Sequence, residues 1–315
     1  MKGLDALVAA ATGATAAHRV HRIQALWSDW GELVRYRLDG VETRQVVVKY
    51  VQPPTTGGNP RGWNGDVASA RKLRSYEVER SFYREHVRTL SAHCRTPRSI
   101  ATTDRLLVME DLGAAGFRPL SGGHRLAPPR LQQVVAWLAR FHAHTLDRPP
   151  SGLWERGSYW HLATRPDEWA AMAAGPLREA APLLDRRLRE AAHSAWLHGD
   201  AKVANVCVAR DEVALVDFQY VGPGVGLSDL AYLLGSCLDE ASLEQHADDW
   251  LDRYFVALAA ALDDAPLASA VEAAWRPLWP VAWADFERFL AGWAPQHRKR
   301  TGYSARQTAK ALARL

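Results

Sequence analysis

Apolar and polar residues interleave in short runs along the first third of the chain, then settle into a spacing of three and four. Ile23–Trp27, Glu32–Leu38 and Glu42–Val51 each carry the β-branched or aromatic residues expected of strands. Asp39-Gly40 between the last two marks a hairpin turn. Pro53 to Asp66 is rich in Gly, Pro and Asn and reads as a loop. From Val67 to Val87 the stripe Leu73, Tyr76, Tyr83 and Val87 predicts a helix. Arg105–Met109 predicts a further strand, and Gly113 to Pro129 a second loop. Beyond Arg130 the period is helical, with Leu131, Val134, Leu138, Phe141 and Thr145 on one face. Ala-rich helices are expected over most of 166–195 and 226–315, interrupted by one short hairpin at 206–217.

This order of elements predicts an α+β protein of two lobes: a small N-terminal one with an antiparallel sheet plus a helix, and a larger, mainly helical C-terminal one. The boundary is expected at the start of the second loop, giving lobes 1–112 and 113–315. The 315 residues suffice for two cores. Uncharged runs reach only about a dozen residues, short of the ~20 that span a bilayer. The stretch from Lys2 to Ala17 has a faint signal-peptide character, but Asp5, Thr12, Gly13 and Thr15 interrupt it, and an N-terminal helix is expected instead. Three scattered Cys exclude a disulfide framework and suit reduced thiols in the cytoplasm.

Net charge is +4 but unevenly spread. Residues 1–110 hold 17 basic and 11 acidic side chains, 111–297 hold 16 and 24, and 298–315 hold six basic and no acidic ones. A basic first lobe suits an anionic ligand, and an acidic second lobe tolerates a polar or cationic one. Uneven surface charge without function explains the same pattern.

Candidate chemistry concentrates in Leu197-His198-Gly199-Asp200-Ala201-Lys202-Val203-Ala204-Asn205 and in Val216-Asp217-Phe218-Gln219. Ala209–Glu212 reads as the turn between two short strands, so Asn205 and Asp217 are expected to face each other, ~5–8 Å apart at Cβ. Asp200 enters at the same end. An amide oxygen and two carboxylates at one hairpin mouth suit Mg²⁺ with substrate phosphates.

The pattern H-G-D-x-K-x-x-N followed by D-F-Q resembles the catalytic loop and metal motif of kinase-like phosphotransferases: aminoglycoside phosphotransferases, choline kinases and ecdysteroid kinase-like enzymes. Asp217-Phe218-Gln219 and Asp229-Leu230-Ala231-Tyr232 lean towards the ecdysteroid kinase-like group. The resemblance covers about Lys49 to Leu238 and implies a bilobal protein-kinase-like fold using ATP and Mg²⁺. It implies that Asp200 is the catalytic base, that Lys202 touches the γ-phosphate, and that Asn205 and Asp217 hold the metal. His198 is expected to orient the loop.

Lys49 interrupts Val46-Val47-Val48-Lys49-Tyr50-Val51, and an inward ammonium needs an anion. Glu79 shares a helix stripe with Tyr76 and Tyr83 and precedes Phe82-Tyr83; Glu77 is its rival. Lys49 and Glu79 resemble the lysine and glutamate that position nucleotide phosphates in kinases. No GxGxxG is present; Ser28 and Gly31, in Trp27–Glu32, stand where a phosphate-covering loop belongs, although a hairpin turn explains them too. Glu110 to Leu112 resembles the adenine-binding hinge. Asp229 resembles the aspartate that braces the catalytic loop; helix capping explains it equally well.

Trp275, Trp279, Trp283, Phe286, Phe289 and Trp293 crowd one stretch with Asp285 and Glu287. This reads as a helical core, or as an aromatic wall on which Trp283, Asp285 and Glu287 meet the acceptor. His142/His144 and His18/His21 lack the partners of a metal site. Arg306, Lys310 and Arg314 suit a helix C-terminus without nucleic acid. The expected activity is ATP- and Mg²⁺-dependent phosphorylation of a small-molecule hydroxyl on a steroid-like alcohol, choline-like amine or antibiotic, by a monomer or homodimer without nucleic-acid or membrane partners. The rivals are an inactive nucleotide-binding module and a protein kinase. Against the latter stand Gly199, the eleven residues between Asp217 and Asp229, and the lack of an Ala-Pro-Glu after them.

Overall fold

The computed structural model describes residues 3–52, 65–90, 94–121 and 125–315, without the side chains of Ser28 and Asp66. Most of the expected Pro53–Asp66 loop, and part of the Gly113–Pro129 loop, lie outside these residues. The chain forms two compact units, Met1–Leu90 with Thr96–Arg118 and Ser91–Arg95 with Pro119–Leu315. Among the described residues no helix is long and apolar enough to cross a membrane.

The first unit contains α1 (Leu4–Thr12), β1 (Ala16–Ala25), β2 (Gly31–Asp39), β3 (Gln45–Val51), α2 (Gly65–Ser81), β4 (Ser99–Thr102) and β5 (Leu106–Glu110). Its antiparallel sheet runs β1-β2-β3-β5-β4. Period-two alternation sends Val34, Tyr36, Leu38, Val46, Val48, Leu106 and Val108 to one face, where they pack with Val8 of α1. Each such side chain contributes on the order of 1.5–3 kcal/mol by leaving water. The opposite face packs Val51 with Leu26, Trp30 and Tyr76, and Lys49 lies on this side, buried. β1 begins at Ala16, well before the expected Ile23. It is an edge strand exposed along nearly its whole length, so backbone pairing holds it without a hydrophobic alternation in the sequence. Phe82–His86 continues α2 as a π turn.

Gly31 opens β2 at φ 136°, and a Cβ there would lie 1.9 Å from the carbonyl oxygen of Tyr50. Its glycine is therefore required by the β2–β3 register, in which Gly31 faces Val51.

The short β6 (Arg118–Pro119) falls at the boundary in sequence. The second unit holds α3 (Pro128–His144), α4 (Pro166–Ala170), α5 (Pro176–Arg189), β7 (Ala195–Leu197), β8 (Val206–Val208), β9 (Val213–Leu215) and β10 (Gly222–Gly224). There follow α6 (Leu227–Cys237), α7 (Glu240–Leu262), α8 (Ala265–Trp275), α9 (Trp279–Trp293) and α10 (Gly302–Leu312). β7 pairs with β10 and β8 with β9, both antiparallel. Cys94, Cys207 and Cys237 are buried.

A single carboxylate sets the loop after β7. Asp229 in the first turn of α6, wholly buried, accepts the backbone N–H of His198 at 2.6 Å and of Gly199 at 3.0 Å. It lies 3.2 Å from His142 Nε2, whose Nδ1 meets the Tyr254 hydroxyl at 2.8 Å. The residue at the N-cap of α6 is Gly226, so Asp229 braces the loop and does not cap the helix. Gly199 turns at φ 77°, and a Cβ there would lie 2.2 Å from the Tyr220 carbonyl oxygen.

Two stability outcomes follow. Asp229→Ala strands two buried N–H groups at roughly 1–3 kcal/mol each. Chemical denaturation is expected to show a loss of about 2–5 kcal/mol. Gly31→Ala combines a clash with a positive φ and should cost at least about 1–3 kcal/mol by the same measurement. Unchanged midpoints would contradict these geometries.

Candidate active site

In the second unit, Asp200 leaves the braced loop with its side chain buried. Its Oδ2 accepts from Lys202 Nζ at 2.7 Å and from Asn205 Nδ2 at 3.0 Å. Asn205 Nδ2 also reaches the Asp200 carbonyl oxygen at 2.8 Å, which assigns the amide orientation. Among the described residues Asp200 Oδ1 is buried with no hydrogen bond within 3.5 Å, and the Tyr232 hydroxyl lies close enough to the carboxylate for a longer, weaker contact. An unmatched oxygen on a buried carboxylate is costly, and it marks where a donor is missing.

Asn205 closes the 3₁₀ turn Val203–Asn205, and its carbonyl oxygen accepts from Val216 N at 3.0 Å. The ladder therefore sets Asn205 against Val216, and Asp217 lies one residue beyond the expected facing position. Asp217 adopts φ 72°, a region non-glycine residues seldom occupy. Its Oδ1 accepts from the Gln219 amide. Phe218 between them is fully buried, 4.6 Å from the His198 ring and close to Trp137 and Phe141.

His198 works through its ring atoms. Nδ1 accepts from the Asp200 N–H at 3.3 Å and Nε2 faces the Val216 carbonyl oxygen at 3.0 Å, so the neutral form carries its proton on Nε2. Burial lowers its pKa, which favours that form. For Lys202, burial acts to lower the pKa, but the charge and hydrogen bond of Asp200 and the charge of Asp217 outweigh it, and the pKa is raised.

In the first unit, Lys49 Nζ meets Glu79 Oε2 at 2.5 Å, both side chains buried. Glu77 is exposed and reaches Arg74 at 3.4 Å, so Glu79 is the partner. Val51, Tyr76, Arg80 and Leu107 line a recess around the pair. The Trp27–Asp29 turn precedes Gly31; the N–H groups of Asp29 and Trp30 are bonded within it, to Leu26 and Trp27. The side chain of Ser28 lies outside the described residues. Glu110 ends β5 with Oε2 accepting from Arg98 N at 3.1 Å. Leu112 is buried, and its carbonyl oxygen accepts from Phe117 N at 2.9 Å. Asp111 between them takes a two-pronged contact from Arg35, at 2.5 and 3.0 Å.

The residues expected to meet the acceptor lie buried and internally paired. Trp283 is 1% exposed within the helical core. Asp285 is paired with the fully buried Arg288 at 2.9 Å, and Arg288 also reaches the Trp160 carbonyl oxygen at 2.6 Å. Glu287 is taken by Arg300 at 2.7 Å and Ser304 at 3.0 Å. α9 packs against α4, α5, α6 and α10, which encloses Asp285 and Glu287 with their partners.

The aromatic residues near Asp200 combine Tyr232, Phe286 and Phe289, named above, with Tyr159 and Trp160, which the sequence left unmarked. Gly157–Tyr159 runs along the catalytic loop: Ser158 N bonds the Tyr220 carbonyl oxygen at 3.2 Å and Tyr159 N that of Gly199 at 3.0 Å. The Tyr159 hydroxyl donates to that of Tyr232 at 3.2 Å. Trp160, Tyr232, Phe286, Phe289 and Leu290 form one buried cluster with Tyr159 packed on it. Burial, reinforced by the charge of Asp200, raises the Tyr159 and Tyr232 pKa values. The Phe286 and Phe289 spacing was the one available signal, and it pointed to this cluster.

Solved structures with the same fold include a Thermobifida fusca protein provisionally assigned as a fructosamine-3-kinase, with TM-score 0.55 and 17% identity over 100% of each chain. A macrolide 2'-phosphotransferase from Brachybacterium faecium gives TM-score 0.51 and 15% identity, covering 94% of this chain and 100% of that one. Choline kinase from Cryptosporidium parvum gives TM-score 0.50 and 11% identity, covering 94% and 88%. At these identities the likeness shows the bilobal kinase-like fold. No curated protein is significantly similar in sequence. The phosphotransferase enzyme family matches residues 22–266, most of the chain, and the chain belongs to that family.

Proposed function

We propose that the protein transfers the γ-phosphate of ATP to a hydroxyl of a small molecule, with Mg²⁺ as cofactor. The observation that carries this is the one-sided hydrogen bonding of Asp200. Lys202 and Asn205 fix Oδ2, and the partnerless Oδ1 is left to accept a proton from an acceptor hydroxyl. The hydroxyl oxygen then forms its bond to the γ-phosphorus as the bond to ADP breaks, and the proton resides on Oδ1.

The residues present fit the metal. With Asn205 Nδ2 bonded into the loop, its Oδ1 is left for a cation, and Asp217 supplies a half-buried carboxylate held in a strained turn. Bound there, Mg²⁺ supplies neutralising charge for the nucleotide phosphates. Lys49, oriented by Glu79, would hold the phosphates further from the reacting end. Glu110 to Leu112 serves as the adenine-binding segment, with residues 1–112 as the nucleotide lobe and 113–315 as the catalytic and substrate lobe. Asp217-Phe218-Gln219 supports a place in the ecdysteroid kinase-like group. A small acceptor is favoured over a protein one because β10 pairs with β7 within the short run from Asp217 to Asp229, leaving little chain for a peptide-binding segment.

Asp200→Asn should cut kcat by about 10²–10⁴-fold in a coupled ATP-consumption assay over hydroxylated small molecules. Mg-ATP affinity should stay within about threefold; retained turnover rejects Asp200 as the base. Lys49→Ala should lower kcat/KM for ATP at least about tenfold through loss of a charged contact. Unchanged ATP kinetics would remove Lys49 from the phosphate site.

A further inference from the structure

The aromatic cluster beside Asp200 is not an empty cage. Lys299, in the segment between α9 and α10, places its Nζ 4.0 Å from the centre of the Tyr232 ring and 5.6 Å from that of Phe286. Such rings, next to a carboxylate, are what a cationic acceptor would use. Here the protein's own ammonium covers them. A second face is used likewise, with the Arg165 guanidinium 5.3 Å from the Tyr159 ring and 5.2 Å from that of Phe289.

The two cations differ in their partners. Arg165 is neutralised by Glu168 at 2.9 Å and bonded to the Tyr159 carbonyl oxygen at 2.6 Å. Lys299 Nζ has no hydrogen bond or ion pair among the described residues. Asp200 is near enough to favour its charge, but that carboxylate is already paired with Lys202, and Lys202 and Arg298 oppose the charge. Burial pushes the Lys299 pKa down to about 7, in spite of Asp200. A half-buried ammonium in that position lacks an anion.

Its placement is built, not incidental. Glu287 on α9 takes Arg300 at 2.7 Å, Lys299 N bonds His297 Nδ1 at 3.2 Å, and Thr301 caps α10 through a reciprocal pair with Ser304. Glu287 thus acts through the segment that carries Lys299.

We propose that Lys299 is a specificity-determining residue of the acceptor site, selecting hydroxyl compounds that also carry a carboxylate and rejecting cationic ones. An acceptor with its hydroxyl at Asp200 Oδ1 and an anionic group at Lys299 satisfies both groups at once, with its apolar part on the partly exposed Tyr159 ring. A quaternary ammonium or amino sugar meets the ammonium of Lys299 on the ring face it needs. This rests on the reading of Asp200 as the base that receives the hydroxyl.

The test uses three aromatic alcohols of nearly one shape: 4-(hydroxymethyl)benzoate, 1,4-benzenedimethanol and 4-(aminomethyl)benzyl alcohol. Their binding to the full chain is measured by calorimetry below the Lys299 pKa of about 7, where the ammonium is held, and their turnover by ATP consumption. The wild type should bind the carboxylate at least about tenfold more tightly than the amine, an ion-pair-sized difference. Lys299→Glu should reverse that order and Lys299→Arg keep it, both without change in the KM for ATP. Failure of the carboxylate to bind, an equal or opposite order in the wild type, or a Lys299→Glu effect confined to ATP would overturn the proposal. Should a variant fail to fold, the wild-type order alone decides. Charge selection by calorimetry without ATP consumption on any alcohol would reject the phosphotransferase reading and leave the Lys299 assignment standing; turnover without charge selection would do the reverse.

Discussion

A carboxylate taken out of water needs a partner on each oxygen, because the desolvation lost on burial is recovered only through hydrogen bonds and opposite charge. Asp229 meets this demand fully, with two backbone N–H groups and His142 around it. Asp200 meets it on Oδ2 alone. The two carboxylates are coupled, since Asp229 holds the peptide units of His198 and Gly199, and these set where Asp200 leaves the chain. A satisfied buried aspartate thus gives rigidity to an unsatisfied one, as a reactive group that must not reorganise requires.

The same distinction runs through the other buried charges. Asp285 pairs with Arg288 within α9, that arginine reaches the Trp160 carbonyl oxygen, and Glu287 with Arg300 ties α9 to the segment that follows it. Lys49 and Glu79 form an equally close pair in the first unit. A buried pair of this kind is a weak source of stability, since the cost of drying both ions offsets much of their attraction. Its lysine stands on a strand face that carries Val51 and packs on Tyr76 of α2, and the proposed function would give that lysine a phosphate to meet.

How far the sequence discloses this depends on whether a residue's environment is local. Val46, Val48, Leu106 and Val108 announce their face by alternation, and Lys49 stands out as a charge among them. The order H-G-D-x-K-x-x-N was legible because the contacts from Asp200 to Lys202 and Asn205 span only two and five residues. Asp229 was ambiguous because its partners lie thirty or more residues away. For Trp283, Asp285 and Glu287 the sequence left a helical core and an aromatic wall open, because which one holds depends on the distant helices that enclose α9. β1 was underestimated because an edge strand needs no apolar period. Lys299 gave no signal at all, being one of six cations in the last eighteen residues until the turn before α10 carried it to Tyr232.

Gly199 shows how one backbone constraint limits the range of regulation open to this fold. A side chain there would collide with the Tyr220 carbonyl oxygen and would have to hold a left-handed φ. No arginine fits at that position, so the loop lacks the cation with which a phosphorylated segment would pair. The chain after Asp217 is also committed, through the bond from Ser158 N to the Tyr220 carbonyl oxygen and the pairing of β10 with β7. With that stretch spent on supporting the catalytic loop, order in this region comes from folding itself. Selectivity must then arise where groups remain unmatched, and beside the Tyr159 and Tyr232 rings these include Asp200 Oδ1 and the Lys299 ammonium.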